Sequence, residues 1–542
     1  MQAESTAPWR EVETACKGHA SRFAQLLAAP EPSQRAFLGN LIARNSDTQF
    51  GSDFGFHGIR SYGDFAARVP VVPYEGFRPY IERILQGSER ELSADPVLFV
   101  ELTGGSTGGS KVIPYTQGSL DAYSRALTAW IAGLLEGCPK IAGGRAYFAV
   151  SPVGRAADQR MGAVPIGSAD QFGYLGGMGD AVARLSVVPL ELALVEDFEA
   201  WQFATCLHLL AARDLSLIWV WSPTYLSELL QVIMRKKRGL LEALGRGSSI
   251  AAPLPSQDPL RAAQLATLIG EDRLDTAQIW PNLQVISCWM DGSSAPFAAQ
   301  LRTMFPHVTF QAKGLMATEG ATTLPFGQGA GAPLAIESGF FEFADESGAV
   351  WPAWELEHGD VRRVVLSNHS GLYRYDTQDL VEVVGFEGAT PRLRFLGRVG
   401  GASDLCGEKL TEAFVLRAIE QCIGPGLYAF LAPRLDPHPH YELWIDGRIE
   451  AGELNRAAEA IDTALGGNPQ YIYARKLGQL GPVAAWSSPG VFEQYQLWSV
   501  AQGRNVGALK ARALLELPAD FRALLRTGVA PNGAIHGGYN ES

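Results

Sequence analysis

The spacing of apolar residues predicts that helices and strands alternate along most of this chain. Apolar residues recur at helical spacing up to about Asn45, and a second helical stripe runs through residues 73–87. The continuous apolar run at 97–100 predicts a buried strand. Residues 112–116 predict a second extended segment, because Pro114 confines the residue before it to β-like conformations. A helix that begins near Ser119 is expected to follow.

The pattern of predicted helices and strands changes at two points in the second half of the chain. After further alternation to about Phe310, strands dominate from Gly339 onward, and beyond Arg398 a glycine-rich segment precedes a mixture of helices and strands. In this last part we predict a helix from about Thr411, strands at 428–431 and 441–445, and a helix at 454–465. The pattern predicts two domains. Residues 1–397 form a large α/β domain with mixed sheets and a β-rich part flanked by helices, and residues 398–542 form a small α+β domain.

Composition and charge exclude several classes of function. The chain has 542 residues, a net charge of −12 and no basic cluster, which argues against nucleic acid or an anionic membrane as a partner. No apolar run reaches membrane length, and the N-terminus lacks the features of a signal peptide. Six cysteines without CxxC spacing favour a reduced protein. We therefore expect a cytoplasmic protein, monomeric or weakly dimeric.

The most informative stretch is residues 102–111, which combine four glycines, several hydroxyl side chains and Lys111. Glycine permits close approach of a ligand to the backbone, and successive N–H groups form an anion-binding concavity. Two other interpretations compete with such a phosphate loop. One is the GxSxG nucleophile elbow of a serine hydrolase, centred on Ser106, and the other is a glycine-rich turn without a ligand. An elbow opens directly into a helix, whereas the segment that follows here is predicted to be extended.

Several further motifs follow this loop in the sequence, and together with the loop they span most of the chain. Residues 103–111 resemble the phosphate-loop signature of adenylate-forming, acyl-activating enzymes. The later motifs are Ile113-Pro114-Tyr115-Thr116, Ala317-Thr318-Glu319, Phe340-Phe341-Glu342-Phe343, Gly371-Leu372-Tyr373-Arg374-Tyr375 closing on Asp379, Gly397-Arg398 and Glu408-Lys409. Through this ordered set of motifs, the chain resembles the auxin-responsive (Gretchen Hagen) family of acyl-acid amido synthetases, in a bacterial-type form. The resemblance extends over residues 55–515. Gln378 departs from that pattern, since the family usually has glycine there.

The resemblance implies an ATP- and Mg²⁺-dependent ligase. It would adenylate a small carboxylic acid, release pyrophosphate and transfer the acyl group to an amine such as that of an amino acid. The residues implied to hold ATP and the metal are Thr103, Ser106, Thr107 and Lys111 for the phosphates, Thr116 and Phe340 near the nucleotide, Thr318 for the α-phosphate, Glu319 for Mg²⁺ and catalysis, Asp379 for the ribose, and Arg398. Each of these residues also has a structural interpretation when considered alone; Arg398, for example, could pin the domain linker.

The small domain is implied to supply one more cation, because the attacking carboxylate and the α-phosphate bring negative charges together. Lys510 matches the late lysine of the family, with Lys409 as the second candidate and a solvated helix lysine as the structural alternative. Candidates for the acyl pocket come from two apolar segments and are Trp219, Trp221, Tyr225, Trp289 and Met290. Three alternatives to the amide-forming ligase stay open: a thioester-forming ligase, a serine hydrolase using Ser106, and a nucleotide-binding module without turnover.

Overall fold

The computed structural model describes residues 2–102, 111–149, 159–167, 173–271, 273–399, 403, 405–406, 408, 410–424, 426–435, 438–476, 479–502 and 510–527. The chain forms two compact units. Unit one consists of Met1–Asp291 and Leu301–Leu396, and unit two of Gly292–Gln300 and Gly397–Ser542.

Unit one begins with helices and then an antiparallel strand pair. The helices are α1 (Gln2–Cys16), α2 (His19–Ala28), α3 (Pro30–Arg44), α4 (Gln49–Asp53), α5 (Tyr62–Arg68) and α6 (Arg78–Leu85), and the strands are β1 (Val97–Leu102) and β2 (Val112–Thr116). The start of α5 follows from local chemistry, since Ser61 Oγ accepts a hydrogen bond from the backbone N–H of Asp64 at 3.1 Å. The strands predicted before and after the glycine-rich loop are both present.

The next part of unit one is built around a parallel sheet. Its elements are α7 (Gln117–Gly137), β3 (Arg145–Phe148), β4 (Arg160–Met161), β5 (Val164–Pro165), α8 (Gly179–Leu185), α9 (Phe198–Ala211), β6 (Leu215–Trp219), α10 (Pro223–Arg235), α11 (Lys237–Arg246), α12 (Pro259–Leu268), α13 (Thr276–Ile279), β7 (Val285–Cys288), α14 (Ala295–Met304) and β8 (Thr309–Ala312). The part of α14 up to Gln300 belongs to unit two. Strands β3, β6, β7 and β8 lie side by side in that order, all parallel. The carboxyl ends of the four strands therefore share one edge of the sheet.

Two details differ from the sequence-based expectation. Helix α7 begins one turn earlier than predicted, because Thr116 and not Ser119 is its N-cap; the Thr116 side chain accepts from the backbone N–H of Ser119. The glycine-rich composition of residues 151–180 predicts a long loop, whereas the described parts of this stretch contain β4, β5 and the start of α8. Glycine-rich composition concealed these short elements.

The β-rich part of unit one follows. Its strands are β9 (Met316–Ala317), β10 (Gly320–Ala321), β11 (Ala332–Pro333), β12 (Phe340–Ala344), β13 (Val350–Pro352), β14 (Val361–Ser367), β15 (Tyr375–Glu387) and β16 (Thr390–Arg398). Six of them form one sheet in the order β11-β16-β15-β14-β12-β13, while β9 and β10 form a separate antiparallel hairpin.

Unit two is a small α+β body. Its elements are α15 (Glu412–Ile423), β17 (Ala429–Arg434), β18 (His440–Asp446), α16 (Ala451–Leu465), α17 (Pro469–Lys476), β19 (Ala484–Ser488), α18 (Val491–Ala501) and α19 (Ala519–Thr527). Strand β18 pairs antiparallel with β17 and parallel with β19. The core of unit two joins α15, α16, β17 and β18 through Val415, Ile419, Leu431, Leu443 and Ile461. Throughout the described ranges, no helix combines the length and the apolar character needed to cross a bilayer.

Candidate active site

The predicted phosphate loop is carried by the strand pair β1 and β2. Leu102 lies opposite Val112 in the antiparallel register, so the loop leaves and returns at one end of the pair. Thr103, Ser106 and Thr107 lie outside the described residues. The segment after the loop is a strand, and a nucleophile elbow would require a helix there. This local geometry disfavours the serine-hydrolase interpretation of Ser106.

Lys111, which ends the loop, is held by tyrosines. Its ammonium donates a hydrogen bond to the hydroxyl of Tyr375 at 2.9 Å. Its Nζ also lies 5.6 Å from the centroid of the Tyr375 ring and 5.9 Å from that of Tyr74. A cation over aromatic faces is stabilised electrostatically. The lysine is therefore positioned at the point where the loop re-enters the strand pair.

Thr318 and Glu319 occupy the two-residue loop of the β9–β10 hairpin, because Ala317 pairs directly with Gly320. Three side chains from elsewhere in the fold hold the backbone of this loop. Tyr115 donates to the carbonyl of Thr318 at 2.5 Å, Tyr123 to that of Ala317 at 2.9 Å, and Asn368 to that of Glu319 at 2.6 Å. Burial raises the pKa of both tyrosine hydroxyls, so they remain protonated donors. Hydrogen bonds from these three side chains to the backbone carbonyls thus preorganise the loop.

Glu319 and Lys111 meet at one hydroxyl group. Tyr375 donates to Glu319 Oε1 at 3.1 Å while it accepts from Lys111. Glu319 is only 6% exposed, so its carboxylate has a fixed direction. The structure brings together two residues that lie about 200 positions apart in the sequence, Lys111 and Glu319, through Tyr375. Tyr375 is not among the site residues predicted from the sequence, although it belongs to the motif at residues 371–375, and that motif was the available signal.

Asp379 lies on β15 and is 5% exposed. Its backbone N–H donates to Thr377 Oγ1 at 3.1 Å. The preceding residue, Gln378, has a φ of 64°, a left-handed conformation that favours glycine. This conformation explains why glycine is expected before the aspartate. Here the side chain of Asp376 accepts from the backbone N–H of Gln378 at 2.9 Å and supports the unusual turn.

Arg374 has a structural role. Its guanidinium makes two bonds to the carboxylate of Glu342, at 2.9 and 3.0 Å, and donates to the carbonyls of Ala66 and Val69 at the end of α5. Both charged groups are buried. Burial raises the pKa of Glu342, and the arginine opposes that rise. Arg374 is therefore a buried salt-bridge partner that also ties the start of β15 to the end of α5.

Two of the predicted nucleotide contacts, Thr116 and Phe340, are buried and have structural partners. Thr116 is fully buried, caps α7 and donates to the carbonyl of His369 at 3.0 Å. Phe340 is also fully enclosed, with the rings of Tyr62, Phe65 and Trp354 around it. Phe340 thus packs in the core and Thr116 caps a helix, and the contact of each residue with the nucleotide stays a prediction.

Four of the five acyl-pocket candidates lie along the carboxyl edge of the parallel sheet. Trp219 ends β6, Trp221 follows two residues later, and Trp289 comes directly after β7. All three indoles are half-buried, and Trp221 links the other two at centroid distances of 5.2 and 5.6 Å. We call these three residues the tryptophan wall. Met290 is also half-buried and follows Trp289.

Tyr225 does not belong with them. It is 5% exposed on α10, and its hydroxyl pairs with that of Tyr147 at 2.6 Å. Both hydroxyls are therefore satisfied inside the core, and the pocket role of Tyr225 stays a prediction.

Unit two carries the remaining candidates. Lys510 is exposed, and the chain just after it is anchored by Arg512, whose guanidinium donates two hydrogen bonds to Glu412 Oε2, at 2.9 and 3.1 Å. Arg398 is half-buried at the end of β16. Lys409 lies outside the described residues.

Comparisons with known proteins place these features in context. The profile of the GH3 family N-terminal domain matches residues 19–310, and that of the GH3 family central domain matches residues 332–398. The chain is 23% identical over 552 residues to a probable indole-3-acetic acid-amido synthetase, GH3.12, of Oryza sativa subsp. japonica, covering 88% of this chain and 90% of the rice protein. It is also 23% identical over 532 residues to the jasmonoyl–L-amino acid synthetase GH3.5 of the same plant, covering 86% and 89%.

The fold is similar to a solved structure of AtGH3.15 acyl acid amido synthetase in complex with 2,4-DB. The TM-score is 0.82 at 18% identity, and the match covers 95% of this chain and 96% of that one. The α/β, adenylate-forming fold predicted from the sequence is confirmed by this likeness.

Proposed function

This chain belongs to the GH3 family, and on that premise we propose that it is an ATP-dependent acyl-acid amido synthetase. A carboxylate is a poor acyl donor, because its leaving group would be an oxide. In the first step an oxygen of the acid attacks the α-phosphorus of ATP; the bond to the β-phosphate oxygen breaks and pyrophosphate leaves. In the second step an amine nitrogen attacks the acyl carbon, AMP leaves with the bonding electron pair, and the nitrogen loses a proton.

The observation that carries this proposal is the contact of Lys111 and Glu319 through Tyr375. It joins the end of the predicted phosphate loop to the hairpin that presents Thr318 and Glu319. An ammonium and a carboxylate that bond the same hydroxyl suit a triphosphate with its metal ion. The ammonium pairs with phosphate oxygens, and the carboxylate pairs with the cation. Lys111 binds the terminal phosphates, Thr318 donates to the α-phosphate, and Asp379 accepts from the ribose hydroxyls.

The donor set around Glu319 fits Mg²⁺. Among the described residues no group of three His, Cys, Asp or Glu side chains forms a metal site, so a cation held entirely by protein ligands does not fit. Mg²⁺ commonly takes one or two carboxylates and fills its shell with water and substrate phosphates. Glu319 is such a carboxylate. When bound, the ion neutralises charge on the phosphates; the protein contributes the fixed carboxylate, the lysine and the hairpin backbone.

Lys510 is proposed as the catalytic cation of unit two and Arg398 as an additional nucleotide contact. The motif order behind the phosphate loop supports both assignments. We further propose a cytoplasmic, monomeric or weakly dimeric enzyme; the six cysteines are free thiols, as expected in a reducing compartment. Light scattering across a range of protein concentrations tests the oligomeric state.

Acid-dependent exchange of labelled pyrophosphate into ATP tests the function. We expect exchange with at least one member of a panel of aromatic, alicyclic and short aliphatic acids, and none without acid. Product mass, with amino acids and coenzyme A offered together, then separates amide from thioester formation. Absence of exchange with every acid, together with fluorophosphonate labelling at Ser106, would overturn the proposal in favour of a hydrolase. Absence of both exchange and labelling, with ATP binding retained, would indicate a nucleotide-binding module.

A further inference from the structure

Lys313 is a lysine in an unusual place. It directly follows β8, at the same carboxyl edge of the sheet as the tryptophan wall, and it is 1% exposed. Its backbone N–H donates to the carbonyl of Cys288 at 3.0 Å, which ties it to the end of β7. Lysine is almost never fully buried unless it is paired. Its presence here requires an explanation.

The side chain is bound entirely to one short segment. Its Nζ lies 3.4 Å from the centroid of the Trp219 ring and 4.5 Å from that of Trp221, and it donates to the carbonyl of Val220 at 3.0 Å. Residues at i and i+2 of an extended segment point to the same side, so one cation reaches both indoles. Lys313 thus connects three consecutive residues at the end of β6.

No acid stabilises this cation among the described residues. Burial holds the pKa of Lys313 well below its usual value, and the other group that acts on that pKa is the buried Cys288 thiol, which raises it. The π faces of the two indoles favour the ammonium form. A leucine or methionine would fill the same space without the penalty of burying a polar group. The lysine therefore contributes something that packing alone does not.

We infer that Lys313 is a positioning residue that fixes Trp219 and Trp221 as a wall of the acyl-acid pocket, and so determines which acids the enzyme accepts. The inference rests on the proposed function. Its support is geometric: Lys313 lies behind two half-buried indoles at the sheet edge where α/β proteins bind ligands. The two indole planes are inclined to each other by 54°, and holding them in this orientation keeps an apolar surface of fixed shape ready for the acid and avoids an ordering penalty on binding.

The test compares Lys313→Met, which keeps length but removes the charge, with Lys313→Arg, which keeps a cation that can stack on indole. Benzoate, phenylacetate and indole-3-acetate serve as probe acids in the exchange assay. We expect the methionine variant to raise KM for the preferred probe about tenfold, because it loses the cation–π contacts with both indoles, with a smaller change in kcat. The arginine variant should recover part of that loss. The ligand-free emission spectrum of the methionine variant should differ from wild type, because the cation contacts two indoles directly.

Lys237→Met is the matched control. Lys237 is another lysine of unit one whose ammonium donates to a backbone carbonyl, that of Ile269, away from the tryptophan wall. The Lys237→Met variant should leave KM for the probe acids and the tryptophan emission spectrum unchanged. If the methionine variant at 313 does not fold, Lys313→Gln takes its place.

Unchanged acid KM and unchanged emission in a folded Lys313 variant would overturn the inference. Absence of exchange in the wild-type protein would overturn the proposed function instead. In that case quenching of tryptophan emission by the same acids still reports binding. Weaker quenching in the methionine variant, restored by arginine, supports the role of Lys313 in acid binding, and equal quenching overturns it.

Discussion

The Tyr375 hydroxyl accepts a hydrogen bond from Lys111 Nζ at 2.9 Å and so determines where the positive charge behind the glycine-rich loop is held. Because the same hydroxyl donates to Glu319 at 3.1 Å, one neutral group separates an ammonium from a carboxylate. Direct contact would pair the two charges with each other. Here both charges bond the same neutral hydroxyl.

Tyr375→Phe should therefore impair adenylation. It removes one bond to each of two charged groups, and a bond to a charged group contributes about 1.5–3 kcal/mol. We expect kcat/KM for pyrophosphate exchange to fall about tenfold to hundredfold. Tyr80→Phe is the control, because it also removes a hydroxyl–carboxylate bond, that to Asp53 at 2.6 Å. Equal activity of the two variants would show that Tyr375 does not position the site.

Glu319→Gln should weaken the use of magnesium. The amide keeps the size of the side chain and its bond from Tyr375 but loses the charge that attracts the cation. We expect the Mg²⁺ concentration for half-maximal exchange to rise about tenfold, the scale found for disturbed metal sites. Glu337→Gln removes a carboxylate paired with the exposed Arg22 and should leave the titration unchanged. An unaltered Mg²⁺ dependence in Glu319→Gln would remove this residue from the metal site.

Gln378→Gly should stabilise the protein. A side chain at a φ of 64° costs about 1–2 kcal/mol. The greater freedom of glycine in the unfolded chain cancels about 0.5–1 kcal/mol of the gain. A rise of about 0.5–1 kcal/mol in the free energy of unfolding is the expected net result, measured by urea denaturation. Gln378→Ala keeps the left-handed strain and should not show this rise. An equal rise in the free energy of unfolding of Gln378→Ala would show that backbone strain is not the cause.

Lys510→Ala should slow adenylation without preventing ATP binding. The residue is exposed, so its removal should not disturb the core of unit two. Loss of one charge-stabilising group from a transition state costs about 10²–10³ in rate, and we expect exchange to fall by that order. ATP affinity, measured by calorimetry, should stay within about threefold of the wild-type value. Arg448→Ala removes another exposed cation of unit two and should leave exchange unaffected. Exchange at the wild-type rate in Lys510→Ala would transfer the role to Lys409.

Local pattern was sufficient for a large part of the fold. Helical spacing of apolar residues located α3 and α6, and Pro114 correctly indicated a strand after the glycine-rich loop. Where the expectation failed, as with Ser119 at the start of α7, two hydroxyl residues three positions apart could each cap the helix. The choice between them depends on contacts with His369 and Ser370, which are distant in the sequence.

The sequence by itself determined the order of the motifs, the extended segments on either side of the glycine-rich loop, and the family to which the chain belongs. These features depend on residue types and on short-range spacing. Only the tertiary structure decided which motif residues meet. It joined Lys111 to Glu319 through Tyr375, placed Phe340 and Tyr225 in the core, and set Lys313 behind Trp219 and Trp221. The physical reason is that burial and side-chain contact arise from packing between elements far apart in the chain, and periodicity within one element does not record its partner.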